Sequence, residues 1–423
     1  MYTTLPPKGM RDFLPARKEF RDEVASRIRA SYKSCGFTEI ETSAIENLSN
    51  LTGGDGGENT KLIFKILKRG DKFEITPGMS ESDIADLGLR FDFTLPLARF
   101  YSGNRNDLPP VFKSIQMGNV YRGERPAKGR YRSFVQCDVD IIGEAGNVAE
   151  IEILNAIIRA LESLDFRRFV IKINDRRFLT SIIEQSGFDP TRIDDVCISL
   201  DKLDKIGRDG VTNEMLQKGL PAAAIETLLT RIETVDLERI AEFSPEAGQN
   251  LVEIAAAFDP ERARIEFDPT LVRGMGYYTG TIFEIFRSDY PLALGGGGRY
   301  DRMIGKFSGS DVPAVGFAIG FERICDVLED EGFEFEKKKK LAVLFDESVS
   351  YRAALAVVNR MIEEGYSTSL YRLKKKFGKQ LQQLARAGYI EYAILAPTDA
   401  TAEQAGAVIR ERAALGLTSE TDS

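Results

Sequence analysis

Gln136, Asp138 and Asp140 alternate along Phe134–Ile142, so an extended chain puts them on one face and Val135, Cys137, Val139 and Ile141 on the other. Leu89–Leu95 repeats the habit, with Arg90, Asp92 and Thr94 pointing one way and Phe91, Phe93 and Leu95 the other. Either segment alone describes a half-solvated strand. Together they bring three acids, an amide and a hydroxyl onto sheet faces, a set that suits a ligand carrying an ammonium and N–H donors. A second group is cationic. Arg122, Arg125, Arg130 and Arg132 crowd the charged stretch Gly123–Arg132 and its edge. Such arginines either solvate a loop or, as fixed guanidinium forks, match triphosphate and RNA-backbone geometry.

Glycines mark three further segments. In Leu271–Gly280, LVRGMGYYTG, Arg273 is followed by Gly274 and Gly276 and by paired Tyr277 and Tyr278. The glycines admit close approach to the backbone, and the tyrosines are either ligand contacts or core aromatics. The run Gly295–Gly298 precedes Arg299, Tyr300 and Asp301; it is neither a Walker loop nor a dinucleotide fingerprint. In Val315–Arg323, VGFAIGFER, Val315, Phe317 and Ile319 share one side of a strand, while Gly316, Ala318 and Gly320 leave the other flat. A flat face admits a stacked planar base, and Arg323, in the first turn of the next helix, is in reach of its phosphates.

The 423 residues contain no histidine. That removes the commonest general base and metal ligand, and with it serine–histidine hydrolysis and His-ligated zinc. Chemistry falls to Arg, Asp, Glu, Gln, Tyr and metal ions. Cys35, Cys137, Cys197 and Cys325 are far apart and follow no metal spacing, so they read as reduced, mostly buried thiols. The net charge of −8 argues against a surface that is basic all over, yet phosphate binding needs only a local patch. Lys337–Lys340 is one such patch; Arg372, Lys374, Lys375, Lys376 and Lys379 form another, each read equally well as solvated surface. No apolar run approaches 20 residues and Met1–Pro15 lacks an apolar signal core, which predicts a soluble intracellular protein without a membrane segment.

The length allows two or three domains. Residues 17–34 read as an amphipathic helix along Phe20, Val24, Ile28 and Tyr32, stopped by Gly36 and followed by a strand at Phe37–Thr42. Val111–Arg122 and Ser133–Ile142 predict a long antiparallel hairpin. Residues near 176–250 look helical and polar, with a stripe at Leu200, Leu203 and Ile206, and read as an inserted module. Strand patterns resume at Leu271–Phe286 and Val315–Ile319. After a break at Glu334–Lys340 comes a βαβ-like tail: Leu341–Phe345, a helix around Arg352–Glu364, Ser367–Tyr371 and Tyr392–Leu395.

These motifs together resemble those of the class II histidyl-tRNA synthetases, from LPPKGMRDFLP (Leu5–Pro15) into the C-terminal domain. The hairpin Tyr121–Gly143 is similar to the second class motif and Ala314–Arg323 to the third. LVRGMGYYTGTIFE (Leu271–Glu284) and GGGGRYD (Gly295–Asp301) are similar to the two histidine-specific signatures. The resemblance implies an α+β fold, an antiparallel sheet flanked by helices, with a helical insertion and a C-terminal α/β anticodon-binding domain. It implies a catalytic core at 1–175 and 259–333, the insertion at 176–258 and the anticodon-binding domain at 338–423. By the same resemblance Asp92, Thr94 and Gln136 hold the ammonium of histidine, Asp140 and Tyr278 read its imidazole, and Tyr277 lines the pocket. Arg122 and Arg323 grip ATP, and Arg273 contacts the α-phosphate and the histidine carboxylate. The chain departs from the family pattern at Ser43 (usually proline), Gly276 (usually an acid), Val135 (often histidine or tyrosine) and Ala127 (often glutamine).

The implied partners are histidine, ATP with Mg²⁺, tRNA(His) and a second copy of the chain, in the cytoplasm. Adenylation suits a histidine-free enzyme: the attacking carboxylate is already ionised, so the task is alignment and charge neutralisation. The rival implied by the resemblance is a synthetase-like regulatory subunit of ATP phosphoribosyltransferase; such relatives generally lack the C-terminal domain and lose the ATP-binding arginines, whereas both are present here. An RNA-binding protein without catalysis leaves the aligned carboxylates unexplained.

Overall fold

The computed structural model describes residues 3–53, 61–70, 75–127, 129–272, 278–398 and 407–415. They fall into two compact units, Met1–Phe333 and Glu334–Ser423.

In the first unit the strands are β1 (Thr38–Glu39), β2 (Ile45–Asn47), β3 (Lys65–Leu67), β4 (Ala85–Leu89), β5 (Phe112–Tyr121), β6 (Ser133–Ile142), β7 (Phe169–Asp175), β8 (Arg264–Phe267), β9 (Thr281–Arg287), β10 (Tyr290–Arg299) and β11 (Ala314–Gly320). Eight of them form one sheet in the order β1-β5-β6-β11-β10-β9-β7-β8, parallel at the edge pairs β1–β5 and β7–β8 and antiparallel between. Strands β2, β4 and β3 make a smaller antiparallel sheet.

One face of the large sheet is apolar because the period-2 pattern of each strand agrees with its neighbours. Cys137, Val139 and Ile141 of β6, Val315, Phe317 and Ile319 of β11, and Phe283 and Ile285 of β9 are all buried in one cluster. Helices Pro15–Ser34 and Val148–Ser163 supply Val24, Ile28, Tyr32, Ile153, Ile157 and Leu161 to the same core. The predicted helix at 17–34 and the predicted hairpin are therefore present, the latter with Gln116 opposite Asp138 and Ser114 opposite Asp140.

Three predicted strands are not as expected. Leu89–Leu95 is no strand: β4 ends at Leu89, residues 90–93 bend, and helix Thr94–Asn104 begins. Arg90 donates to the Thr42 carbonyl (2.8 Å) and the Asn119 carbonyl (3.0 Å), which holds the chain across the sheet edge. Pro96 then sits in the first helical turn, where its missing N–H costs nothing. Phe37–Thr42 keeps only two ladder residues. At Leu271–Phe286, strand begins at Thr281; residues 273–277 lie outside the described residues.

Residues 176–256 carry five α-helices, from Arg176–Gln185 to Pro245–Ala256. The stripe expected there fails at its end: Leu200 is buried and Ile206 exposed, because the helices Ile193–Leu200 and Leu203–Gln217 break between them and Gly207 (φ 67°) kinks the second. The second unit is a sheet of β12 (Lys340–Phe345), β13 (Ser367–Arg372), β14 (Glu391–Pro397) and β15 (Ala407–Ala414), in the order β13-β12-β14-β15. The first three are parallel and β15 antiparallel, with helices Tyr351–Glu363 and Phe377–Arg386 on it. Among the described residues no helix is long and apolar enough to cross a membrane.

Candidate active site

The second face of the large sheet is polar and largely without side chains at its centre. Registers place Gln136 opposite Gly320, Asp138 opposite Ala318 and Asp140 opposite Gly316. One strand further, Ala318 faces Gly296 and Gly316 faces Gly298. The four-glycine run is thus the middle of β10. Its alternate members extend the flat floor that Gly316, Ala318 and Gly320 begin, and Glu284 of β9 closes it beyond Gly296. A cavity of about 710 Å³ lies on this floor. Its walls include Asp92, Thr94, Arg122, Gln136, Asp138, Asp140, Tyr278, Tyr300, Glu284 and Arg323. Seven of the predicted site residues therefore meet in one place. The other two, Arg273 and Tyr277, lie outside the described residues.

Three carboxylates converge there with little to neutralise them. Asp140 is 4% exposed and accepts a 2.6 Å hydrogen bond from the Tyr300 hydroxyl. Burial raises its pKa to about 7 against the counteracting Tyr300 bond, with Asp92 adding repulsion. Asp138, 5% exposed, is pushed well above the carboxylate range by burial and by the charges of Asp140 and Asp92; Arg122 and the Gln136 amide pull the other way. Asp92 is raised by burial too, partly relieved by Arg122. It sits in the bend before helix Thr94–Asn104 and weakly caps that helix, accepting from the Leu95 N–H at 3.4 Å. Buried acids that resist ionisation alone are stabilised by a cation placed among them.

Of the four arginines of the hairpin tip, Arg122 turns inward. It donates to the Phe91 carbonyl (2.9 Å) and lies over the Phe134 ring. Arg125 is exposed, Arg130 lies at the cavity rim, and Arg132 is spent on the carbonyls of Glu124 and Lys8. Arg323 donates to the Ala293 and Gly129 carbonyls, which ties β10 to the hairpin loop. Beside it Glu322 takes a two-pronged bond from Arg21 (2.6 and 2.8 Å), a further one from Arg11, and the Val135 N–H (3.1 Å). This buried knot fixes the start of β6's polar run.

Sequence reasoning placed Asp138 on the polar face without a role and gave none to Tyr300, Glu284 or Glu322. Reading Gly295–Gly298 as a strand would have exposed Tyr300 as the partner of Asp140. It also left out the helical module's own contribution: Leu200, Asp201, Asp204 and Lys205 line the same cavity.

A family model described as Histidyl-tRNA synthetase matches residues 9–324. The chain belongs to the histidyl-tRNA synthetase family. The histidine–tRNA ligase of Leifsonia xyli subsp. xyli is 41% identical over 410 residues, covering 92% of this chain and 95% of that one. A crystal structure of histidyl-tRNA synthetase from Nostoc sp. PCC 7120 superposes with a TM-score of 0.78 at 26% identity, over 98% of this chain and 97% of that one. An ATP phosphoribosyltransferase regulatory subunit/histidyl-tRNA synthetase from Bacillus halodurans C gives 0.76 at 20% identity, over 93% and 98%, a likeness of fold alone. The α+β architecture expected for histidyl-tRNA synthetases is the one observed.

Proposed function

We propose that the protein is a histidine–tRNA ligase, which activates histidine with ATP and passes it to the 3′ end of tRNA(His). The observation that carries this is one cavity in which an acid-lined slot adjoins a flat glycine floor flanked by Arg122 and Arg323. Asp92, Thr94 and Gln136 hold the histidine ammonium. Asp140, steadied by Tyr300, and Tyr278 take the imidazole, with Tyr277 beside them. The adenine stacks on the floor of Gly296, Ala318 and Gly320, where a larger side chain would intrude.

In the first step a histidine carboxylate oxygen attacks the α-phosphorus, the bond to the bridging oxygen breaks, and pyrophosphate leaves. No proton moves. The residues align the two anions and neutralise the charge that gathers on the α-phosphate, which is the role of Arg122 and Arg273, with Arg323 on the phosphates. Mg²⁺ would arrive with the substrate, on the ATP phosphates, and help neutralise their charge. In the second step a terminal ribose hydroxyl attacks the carbonyl carbon, its proton passing to a phosphate oxygen of the adenylate, and the bond to that phosphate breaks so that AMP leaves.

We assign residues 1–175 and 259–333 to the catalytic core, 176–258 to the insertion and 338–423 to anticodon binding, where Arg372, Lys374, Lys375, Lys376 and Lys379 are exposed and basic. A homodimer in the cytoplasm completes the reading. Histidine-dependent exchange of pyrophosphate into ATP, followed by charging of tRNA(His), tests it. Absence of both with tight histidine binding would leave the regulatory-subunit reading, which the inward-facing Arg122 disfavours.

A further inference from the structure

The Gln136 side chain is held by one described neighbour. Its Nε2 donates to Asp138, 3.3 Å from Oδ1 and 3.4 Å from Oδ2. Its Oε1 is buried and, among the described residues, has no hydrogen-bond partner. An unsatisfied buried acceptor is costly unless a ligand completes it. The amide could turn over and offer its NH₂ to the cavity instead, which would repel an ammonium. What prevents this, once the substrate ammonium is in the slot, is the acid two residues along the same strand face: held ionised by that cation, it accepts from an NH₂ and repels a carbonyl oxygen.

Asp138 has no competing duty on its other side. Its cross-strand neighbours are Gln116 and Ala318. Gln116 is already occupied, accepting from the Thr42 hydroxyl (2.8 Å) and donating to the Phe93 carbonyl (3.3 Å). Ala318 offers nothing polar. A buried acid whose hydrogen-bond partner among the described residues is a single amide is poor architecture for stability alone. We propose that Asp138 is a positioning residue for the amino-acid substrate: it locks the Gln136 amide with Oε1 toward the slot, so that this oxygen accepts from the substrate ammonium. The proposal rests on the ligase reading above and adds a determinant that the resemblance did not include.

The test uses the full-length protein and two ligands, L-histidine and its desamino analogue imidazolepropionate, which keeps the ring and carboxylate but lacks the ammonium. Binding is measured by titration calorimetry for the wild type, Asp138→Asn, Gln136→Ala and the double variant. The near-isosteric D138N keeps the volume but lets the amide turn. It should weaken L-histidine about ten- to hundred-fold, the usual worth of a hydrogen bond to a charged group, and leave imidazolepropionate within about two-fold. In the Q136A background D138N should have no further effect on histidine. Equal weakening of both ligands would mean a merely structural role and overturn the proposal. Additive losses in the double variant would mean direct contact with the substrate, and would overturn it equally. ATP binding in each variant reports that the site is still folded. Failure of the ligase reading looks different: wild-type protein would then show no histidine-dependent exchange, whatever stands at 138.

Discussion

Replacing Asp140 by asparagine separates the stability of the protein from the use of its site. The carboxyl has a pKa of about 7, against 3.8 in an unfolded chain, chiefly because it is buried. An acid whose folded pKa is raised holds its proton in the folded state over that interval. Its contribution is fully present below pH 4 and is lost as pH rises through 7. From pH 5 to pH 8 about two units of the interval are crossed, at 1.36 kcal/mol each, so wild type should lose roughly 3 kcal/mol through this group. The variant's amide oxygen still accepts from Tyr300, and the amide has nothing to titrate. The measurement is urea unfolding followed by far-ultraviolet circular dichroism at pH 5 and pH 8, read at the transition of the larger unit. Asp138 and Asp92 are raised as well and contribute with the same sign; because Asp138 feels the Asp140 charge, the wild-type-minus-variant difference reports Asp140 together with that coupling. At pH 8 the variant should be the more stable protein and the poorer enzyme, with KM for histidine raised about ten-fold through loss of a charge-assisted bond. Parallel stability curves for the two proteins would refute the reasoning.

Three other outcomes follow from the same geometry. Gly316→Ala places a methyl group against the Asp140 Oδ1 and within 3.1 Å of the Tyr300 ring; it should cost about 1–3 kcal/mol of stability and raise KM for histidine, and an unchanged KM would count against the Asp140–Tyr300 pair as a ligand. Arg273→Ala should lower histidine-dependent pyrophosphate exchange by roughly 10²–10⁴-fold, and near-wild-type exchange would remove that arginine from the mechanism. A chain without a histidine codon needs no charged tRNA(His) for its own synthesis; pulse labelling under histidine starvation should show its production persisting while that of histidine-containing proteins falls, and equal decline would dispose of the idea.

Elements governed by a single period were legible. The stripe Val24, Ile28, Tyr32 located its helix, and the alternation of β6 against β5 located the hairpin, because each buries one face only. Asp92 was found for a mistaken reason. Its apolar neighbours Phe91, Phe93 and Leu95 alternate into a core as a strand would, but Arg90's reach to Thr42 and Asn119 and Pro96 in a first turn make the segment a bend and a helix start. The arginine cluster was legible as a cluster only. Which member turns inward depends on the Phe91 carbonyl and the Phe134 ring, contacts between segments that local pattern does not carry. The stripe at Leu200–Ile206 failed because a helix break is invisible to a count of apolar spacings.

The glycine run resisted reading for a deeper reason. A motif is recognised by what its side chains do, and here the function lies in their omission. At Gly298 an added Cβ would meet the Thr281 carbonyl at 2.7 Å and the Tyr278 ring at 3.0 Å; at Gly316 it would overlap the Asp140 carboxylate. These glycines hold no unusual backbone conformation. They are ordinary strand residues whose missing side chains are the space that Tyr278, Tyr300 and Asp140 occupy. A polar slot and a flat floor are thus two consequences of one subtraction, made in register across β10 and β11 opposite the acids of β6. A one-residue slip of β11 would carry Phe317 or Ile319 onto the floor and Gly316 and Gly320 into the core. The register that buries the apolar face is therefore the same constraint that opens the site, so selection for a stable sheet and selection for a working cavity act on the same residues.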